Sequence, residues 1–352
     1  MKSTLPDVHF ADQDFRPARW LRNPHLQSIL ASTSWRRARL LGRAAPLTAA
    51  ARELLLDCGE GVRLQCFHST PAQSTGRPVV LLHGWEGSAE SLYVLSLAQQ
   101  LFEQRFEVLR LNLRDHGNTH HLNRELFHSC RLAEVVGAVR AVQAIFPGRP
   151  LQLVGFSLGG NFFLRVAARA RAARLDLAQV IAVSPVLDPS GTLKALQGGF
   201  PGYERYFVHK WLRSLHKKQQ AWPDSYDFRE LSRLRDLKLM TAELVRCQTE
   251  FPTLEDYLHG YAITGARLAH LEVPSSIFTS QDDPIIPVSG LAQLARPQSL
   301  TLTLTRHGGH CGFFERLPGP TWLERRILAL LGAETSQAPA AGALEEGLRE
   351  ST

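Results

Sequence analysis

Short apolar runs alternate with stretches of helical periodicity from about residue 78 onward, and this alternation constrains the chain more than any other feature. Val79-Val80-Leu81-Leu82 is apolar at every position, as a strand covered on both faces requires. A helical stretch from about Ala89 to Phe102 follows, with Val94, Leu97 and Leu101 on one face. The pattern repeats as strand Glu107 to Leu113, helix Arg131 to Ile145, strand Leu151 to Phe156, helix Leu158 to Ala173 and strand Val180 to Ser184. Strands separated by helices of this length need right-handed crossovers. The expected architecture is therefore α/β, a mainly parallel central sheet flanked by helices. Ligands in such sheets sit at the carboxyl ends of the strands, so the polar residues there carry the functional reading.

The flanking regions read differently. Residues 1–50 are expected to form an irregular or helical segment packed on the core. Glu53 to Cys58 and Val62 to His68 read as two strands around the turn Gly59-Glu60-Gly61. Between residues 186 and 271 the rhythm is lost, and the chain becomes helical, basic and aromatic, with Phe200, Tyr203, Tyr206, Phe207, Trp211, Trp222, Tyr226 and Phe228. This segment is expected to be a helical cap inserted into a core of residues 51–185 and 272–332. The alternation resumes with strand Ser275 to Thr279, helix Ser289 to Leu294, strand Leu300 to Leu304 and a last helix from about Thr321 to Leu331. The Ala-rich, polar residues 333–352 are expected to be disordered.

With 352 residues, 44% of them hydrophobic, the chain can bury a sizeable core. No apolar run approaches the roughly 20 residues that cross a bilayer. The first residues lack the basic start and apolar middle of a secretory signal. Five scattered cysteines, Cys58, Cys66, Cys130, Cys247 and Cys311, fit reduced thiols in a cytoplasm better than a disulfide framework. The net charge of +7 and pI near 9.4 raise the question of an anionic partner. Cations cluster at Arg36, Arg37, Arg39 and Arg43, at Arg165, Arg169, Arg171 and Arg174, and at Lys210, Arg213, Lys217 and Lys218. No aromatic-basic nucleic-acid signature accompanies them. They are expected to form solvated surface, with peripheral contact to an acidic membrane through the third cluster as the alternative.

The strongest chemical signal is Gly155-Phe156-Ser157-Leu158-Gly159, a G-x-S-x-G match between an apolar strand and a helix that begins at once. A serine on so sharp a turn has a strained backbone, and the flanking glycines let helix and strand approach closely. The amino end of the helix offers unpaired N–H groups, Leu158 first, to a developing oxyanion. This is the setting of the nucleophile in the α/β-hydrolase fold. In that fold the loop after the preceding central strand, here His83-Gly84-Trp85-Glu86-Gly87-Ser88, supplies a second oxyanion donor, and the amide of Trp85 is the candidate. His83, just before the glycine, reads as a buttress of the loop.

An alcohol is a poor nucleophile until a base removes its proton, and the base needs a group that fixes its tautomer. The order in this fold is serine, acid, histidine. Asp282-Asp283-Pro284 follows one predicted strand and His307-Gly308-Gly309-His310 follows the next. Asp283 is favoured over Asp282 because the turn Pro284-Ile285-Ile286-Pro287 would project it toward the site, though a helix cap is the bland alternative. His310, on a flexible loop between Gly309 and Gly312, is favoured over His307. Two other groups are rivals. His116, His120, His121 and His128 with Asp115 could ligate a metal, but Gly117-Asn118-Thr119 argues for a loop and no second cluster completes the sphere. Cys311 has no turn to expose it and reads as packing.

Phe15-Arg16-Pro17-Ala18-Arg19-Trp20-Leu21-Arg22-Asn23-Pro24-His25-Leu26-Gln27, the loop at His83, Asn112-Leu113-Arg114-Asp115-His116-Gly117, Gly155 to Asn161 and His307 to Phe313 together resemble the YheT-like branch of α/β hydrolases, which includes eukaryotic lipid-acting members. The resemblance covers nearly all of the chain up to about residue 332. It departs at Asp115-His116-Gly117, where relatives often have Arg-Gly. It implies a triad of Ser157, Asp283 and His310, and esterase-type activity without naming a substrate. The expected function is hydrolysis of carboxylic esters, lipid or other apolar acyl esters included, with no cofactor or metal. Thioester or amide hydrolysis by the same residues is one alternative. A ligand-binding protein that has lost catalysis is the other. The oligomeric state is not legible.

Overall fold

The computed structural model describes residues 8–11 and 14–333. The tail expected from 333 onward therefore lies, save for Ala333, outside the described residues. Among the described residues nine strands form one sheet: β1 (Val8–Phe10), β2 (Ala51–Asp57), β3 (Arg63–Ser69), β4 (Pro78–Leu82), β5 (Glu107–Leu111), β6 (Leu151–Phe156), β7 (Leu177–Val183), β8 (Ser275–Ser280) and β9 (Leu300–Thr305). Their order is β1-β9-β8-β7-β6-β4-β5-β3-β2. All neighbours are parallel except at one edge, where β3 runs antiparallel to β5 and β2 to β3. The mainly parallel α/β architecture is thus present, with the short strand β1 added against β9 by a segment expected to be irregular.

Eleven α-helices accompany the sheet among the described residues: α1 (Pro24–Leu30), α2 (Ser34–Ala49), α3 (Leu92–Glu103), α4 (Leu132–Ile145), α5 (Leu158–Ala167), α6 (Ala170–Ala173), α7 (Pro189–Gly198), α8 (Pro201–Ala221), α9 (Leu237–Gln248), α10 (Leu254–Gly260) and α11 (Trp322–Ala333). The continuous apolar run of β4 is explained by the layers. Val80 and Leu82 pack with α4 and α5 residues such as Val139 and Phe162, while Val79 and Leu81 pack on the opposite face with Leu97 of α3 and Ile327 of α11. Each such side chain contributes roughly 1.5–3 kcal/mol on burial.

Two expected helices differ. Leu158 to Ala173 is broken, α5 ending at Ala167 and α6 beginning at Ala170. Residues Val288–Gln293 form a 3-10 helix instead of an α-helix. This short connector takes the tighter i to i+3 hydrogen-bond pattern. The expected basic surface also needs correction. Lys218 is fully buried and Arg165 nearly so. Lys218 Nζ donates to Asp115 Oδ1 at 2.9 Å and to the carbonyls of Asn123 and Glu125, tying α8 to the loop after β5. Arg165 donates to the Ser129 carbonyl.

The four helices α7–α10 lie in the chain between β7 and β8. Together with the loops at the strand ends they line a cavity of about 1040 Å³. No helix of the described residues is long and apolar enough to cross a membrane. All five cysteines are free thiols.

Candidate active site

Ser157 sits between β6 and α5 with φ 53° and ψ −117°, in the left-handed half of backbone space that costs a β-carbon-bearing residue about 1–3 kcal/mol. Neighbouring glycines make the turn feasible. A Cβ on Gly155 would lie 2.4 Å from the Gly159 carbonyl oxygen, and one on Gly159 would lie 2.5 Å from the carbonyl oxygens of Leu82 and His83. The backbone of β4 and the start of α5 therefore touch. The Ser157 amide is held by the Val183 carbonyl at 2.8 Å. Strands β4 and β6 are paired with Leu82 opposite Gly155, which carries the loop after β4 alongside Ser157. A Cβ on Gly84 would meet the Ser157 Cβ at 3.0 Å.

The amides of that loop have distinct partners. Gly84 N–H donates to the Tyr93 hydroxyl and Glu86 N–H to His116 Nε2, at 3.1 Å each. Trp85 N–H has no acceptor among the described residues, and neither has Leu158 N–H in the first turn of α5. His83 is enclosed. Its Nδ1 contacts the Gly84 carbonyl at 2.7 Å and its Nε2 accepts from Leu113 N–H at 3.2 Å, an arrangement suited to holding the loop. Burial, with His116 nearby, pushes the His83 pKa well below the ordinary value.

At the ends of β8 and β9 two acid–imidazole pairs stand side by side. His310 Nδ1 is 2.9 Å from Asp283 Oδ2, and the Asp283 carboxylate is wholly enclosed. Asp283 Oδ1 accepts from the amides of Ile285 and Ile286 at 2.8 and 2.9 Å, so this aspartate caps the following turn as well as meeting an imidazole. His307 Nδ1 lies 3.4 Å from Asp282 Oδ2, and Asp282 Oδ1 accepts from Gly309 N–H; this pair is the more exposed. Burial alone would lower the His310 pKa, but the charge and hydrogen bond of Asp283, with the neighbouring Cys311, raise it well above 6.5. Ser157, Leu158, Trp85 and His310 all line the one cavity. Among the described residues no hydrogen bond joins the Ser157 hydroxyl to His310.

The loop of His310 is held in place. Gly309 and Gly312 pack against α1, where a Cβ would meet the Pro24 and Gln27 carbonyl oxygens at 2.4 and 2.6 Å. The expected flexibility of these glycines gives way to close packing. His310 N–H donates to Ser28 Oγ at 2.8 Å. Buried Gln27 donates to the carbonyls of Leu21 and Phe314 and accepts from Phe314 N–H. Asn23 caps α1 by accepting from the amides of His25 and Leu26. The sequence marks a capped helix at Asn23-Pro24, but not where that helix docks, because the partner loop lies about 280 residues away. No local pattern in the sequence marks the bracing role of Gln27 and Ser28.

The rival groups have other engagements. His116 Nδ1 contacts the Arg114 carbonyl at 2.7 Å, and His120 Nε2 is 2.9 Å from Ser214 Oγ. Burial lowers their pKa values to about 4 and about 3. Cys311 is buried among Phe313 and Trp322 in the core on the α11 side of the sheet. Of the aromatic residues after β7, Tyr203, Tyr206, Phe207 and Trp211 line the cavity, whereas Tyr226 and Phe228 pack in the core.

A family model described as alpha/beta hydrolase fold matches residues 77–317. Over 328 residues the chain is 26% identical to YheT of Escherichia coli (strain K12), a protein provisionally named an esterase, covering 89% of this chain and 92% of that one. Monoacylglycerol lipase ABHD2 of Danio rerio is 24% identical over 343 residues, 90% of this chain and 79% of the other. Among solved structures, the Pyrococcus furiosus esterase Pf2001 superimposes with a TM-score of 0.52 at 14% identity, over 80% of this chain and 92% of that one, a likeness of fold.

Proposed function

The chain belongs to the alpha/beta hydrolase fold family, and on that premise we propose that it is a serine hydrolase that cleaves carboxylic esters through Ser157, His310 and Asp283. The observation that carries the reading is the enclosed Asp283 carboxylate, 2.9 Å from an imidazole that shares a cavity wall with a strained serine. Esterase and lipase names among the relatives point the same way.

In this mechanism Asp283 accepts a hydrogen bond from His310 Nδ1–H, which leaves Nε2 unprotonated as the base. Ser157 Oγ attacks the acyl carbon as its proton passes to Nε2, and the amides of Trp85 and Leu158 bind the oxyanion. Collapse breaks the acyl C–O bond, and the alcohol leaves with the proton from His310. Water, deprotonated by the same imidazole, then attacks the acyl-enzyme and releases the acid and Ser157. The gap between Ser157 and His310 closes in this scheme when substrate binds, as free hydrolases often have long catalytic hydrogen bonds. The apolar wall of the cavity favours an acyl chain.

The test is labelling with a fluorophosphonate, which reacts only with an activated serine. Wild type labels and hydrolyses p-nitrophenyl esters; Ser157→Ala keeps its circular dichroism spectrum and does neither. Full turnover in the variant would refute the nucleophile. Matched thioesters and amides in the same assay separate ester cleavage from the alternatives, and a folded wild type that never labels would favour a binding role.

A further inference from the structure

The residues lining the cavity that holds Ser157 are of two kinds. Helices α7, α9 and α10 contribute Leu193, Leu196, Leu237, Leu244 and Leu258. Those of α8 change character along its length. Its first turns offer Tyr203, Tyr206 and Phe207; the same three- and four-residue spacing then brings Lys210, Arg213 and Lys217 onto that face. At 1.5 Å per residue the passage from Tyr203 to Lys217 spans about 21 Å.

The aromatic turns lie beside the reacting groups. Phe207 stacks on Trp85 with ring centroids 5.2 Å apart, and the Tyr203 hydroxyl meets His25 Nδ1 at 3.0 Å. The cationic turns reach the oxyanion loop and the loop after β5, where Lys210 Nζ donates to the Glu86 carbonyl at 2.7 Å and Lys217 Nζ to Asn118 Oδ1 at 3.1 Å. Among the described residues none of Lys210, Arg213 and Lys217 pairs with a carboxylate. Two of the three acids in the cavity lining are engaged elsewhere or held up by burial. Asp115 is committed to Lys218 and the Phe127 amide. Burial pushes Glu86 up to about 8, against the pull of Lys210. Glu90 stands exposed on the same wall.

We propose that the cationic end of the cavity seats a phosphate, so that the substrate is an acyl ester or thioester whose leaving group carries phosphate. The proposal rests on the serine-hydrolase reading for its chemistry. The acyl chain lies on the leucines, the carbonyl at Ser157, and the phosphate against Arg213 and Lys217 with Lys210 between. The bond broken remains the acyl C–O or C–S bond, and the phosphate takes no part in the reaction. A phosphate monoester, with close to two negative charges and three acceptor oxygens, suits three clustered cations better than a single carboxylate does.

Two measurements test this. The first compares kcat/KM for 1-decanoylglycerol 3-phosphate against 1-decanoylglycerol, and for decanoyl-coenzyme A against the neutral thioester S-decanoyl-N-acetylcysteamine. At least one phosphate substrate is expected to exceed its neutral counterpart by about tenfold, and which one does identifies phosphoglycerol or nucleotide phosphate as the source. The second titrates decyl phosphate and decanol into Ser157→Ala, following fluorescence of Trp85 and Trp211 in the cavity wall. Decyl phosphate is expected to bind about tenfold more tightly at low salt, with the advantage shrinking as salt rises and vanishing when Arg213→Ala and Lys217→Ala are added. Both residues are exposed, so their loss removes no core packing. Equal binding of decyl phosphate and decanol overturns the proposal, as does a phosphate advantage that survives the double substitution. Because binding needs no turnover, decyl phosphate selectivity without hydrolysis of any ester would sink the hydrolase reading while keeping the anion site.

Discussion

At Asp283 both carboxylate oxygens are in use, one on His310 and one on the amides of Ile285 and Ile286. Asp283→Asn keeps the shape but can present an amide N–H where the imidazole N–H must donate, so kcat is expected to fall about 10⁴-fold, the loss typical of a triad aspartate. Asp282→Asn touches only His307 and the Gly309 amide and should cost on the order of the 1 kcal/mol of one hydrogen bond. Similar losses in the two variants would undo the choice between the pairs. The raised pKa of His310 fixes the direction of the pH profile. Neutral imidazole, the form that takes a proton, accumulates as pH rises through the folded value, so the acid limb of kcat/KM should centre above 6.5. Asp283→Asn removes the charge that raises it, and the limb of the surviving activity should move to lower pH. The linked stability has the opposite sense. It is fully present below the unfolded value near 6.5 and is lost as pH rises through the folded one.

Helix α1 acts as a brace. Its Ser28 and Gln27 hold the His310 loop, and the glycines of that loop exist to let the two backbones touch. Ser28→Ala leaves the His310 amide without its acceptor, and Gln27→Ala removes three hydrogen bonds to the backbone of Leu21 and Phe314 in a buried site. Costs of about 1 kcal/mol per lost hydrogen bond are expected. Ser28→Ala should lower kcat and slow fluorophosphonate labelling more than it raises KM, because the imidazole is misplaced while the cavity loses only one hydroxyl from its wall. A KM effect alone would show that α1 shapes the cavity instead. Within α5, Gly159→Ala drives a methyl against the carbonyls of β4 and should destabilise by about 1–3 kcal/mol, read from the urea midpoint.

Across the whole molecule the segment between β7 and β8 is fastened to the sheet layer by Lys218. Burial is the main influence on both partners. It raises the Asp115 pKa to about 6 and lowers that of Lys218, so each ion is strained despite the other. Such a pair orients more than it stabilises. Lys218→Met alone strands the Asp115 carboxylate and should cost about 3–5 kcal/mol, with α8 becoming a preferred site of limited proteolysis. Adding Asp115→Asn should recover part of the loss. A double variant no more stable than the single one would mean that packing of α8, rather than the ion pair, sets its position.

Local pattern alone determined the order and type of most core elements, because a strand covered on both faces must be apolar throughout and a crossover helix must repeat every three to four residues. It also singled out Ser157, since only a strand-turn-helix junction with glycines at 155 and 159 lets two backbones touch. It named Asp283 and His310 by their places after successive strands, leaving Asp282 and His307 open. Tertiary structure decided what depends on distant partners. It joined His310 to Asp283 and docked the motif at Asn23 to Gln27 on a loop far along the chain. It buried Lys218 out of an apparently exposed cluster, and it aligned Lys210, Arg213 and Lys217 along one cavity wall. The division follows from range. Periodicity and turn chemistry act between near neighbours, whereas burial and charge pairing are properties of the space enclosed when remote segments meet.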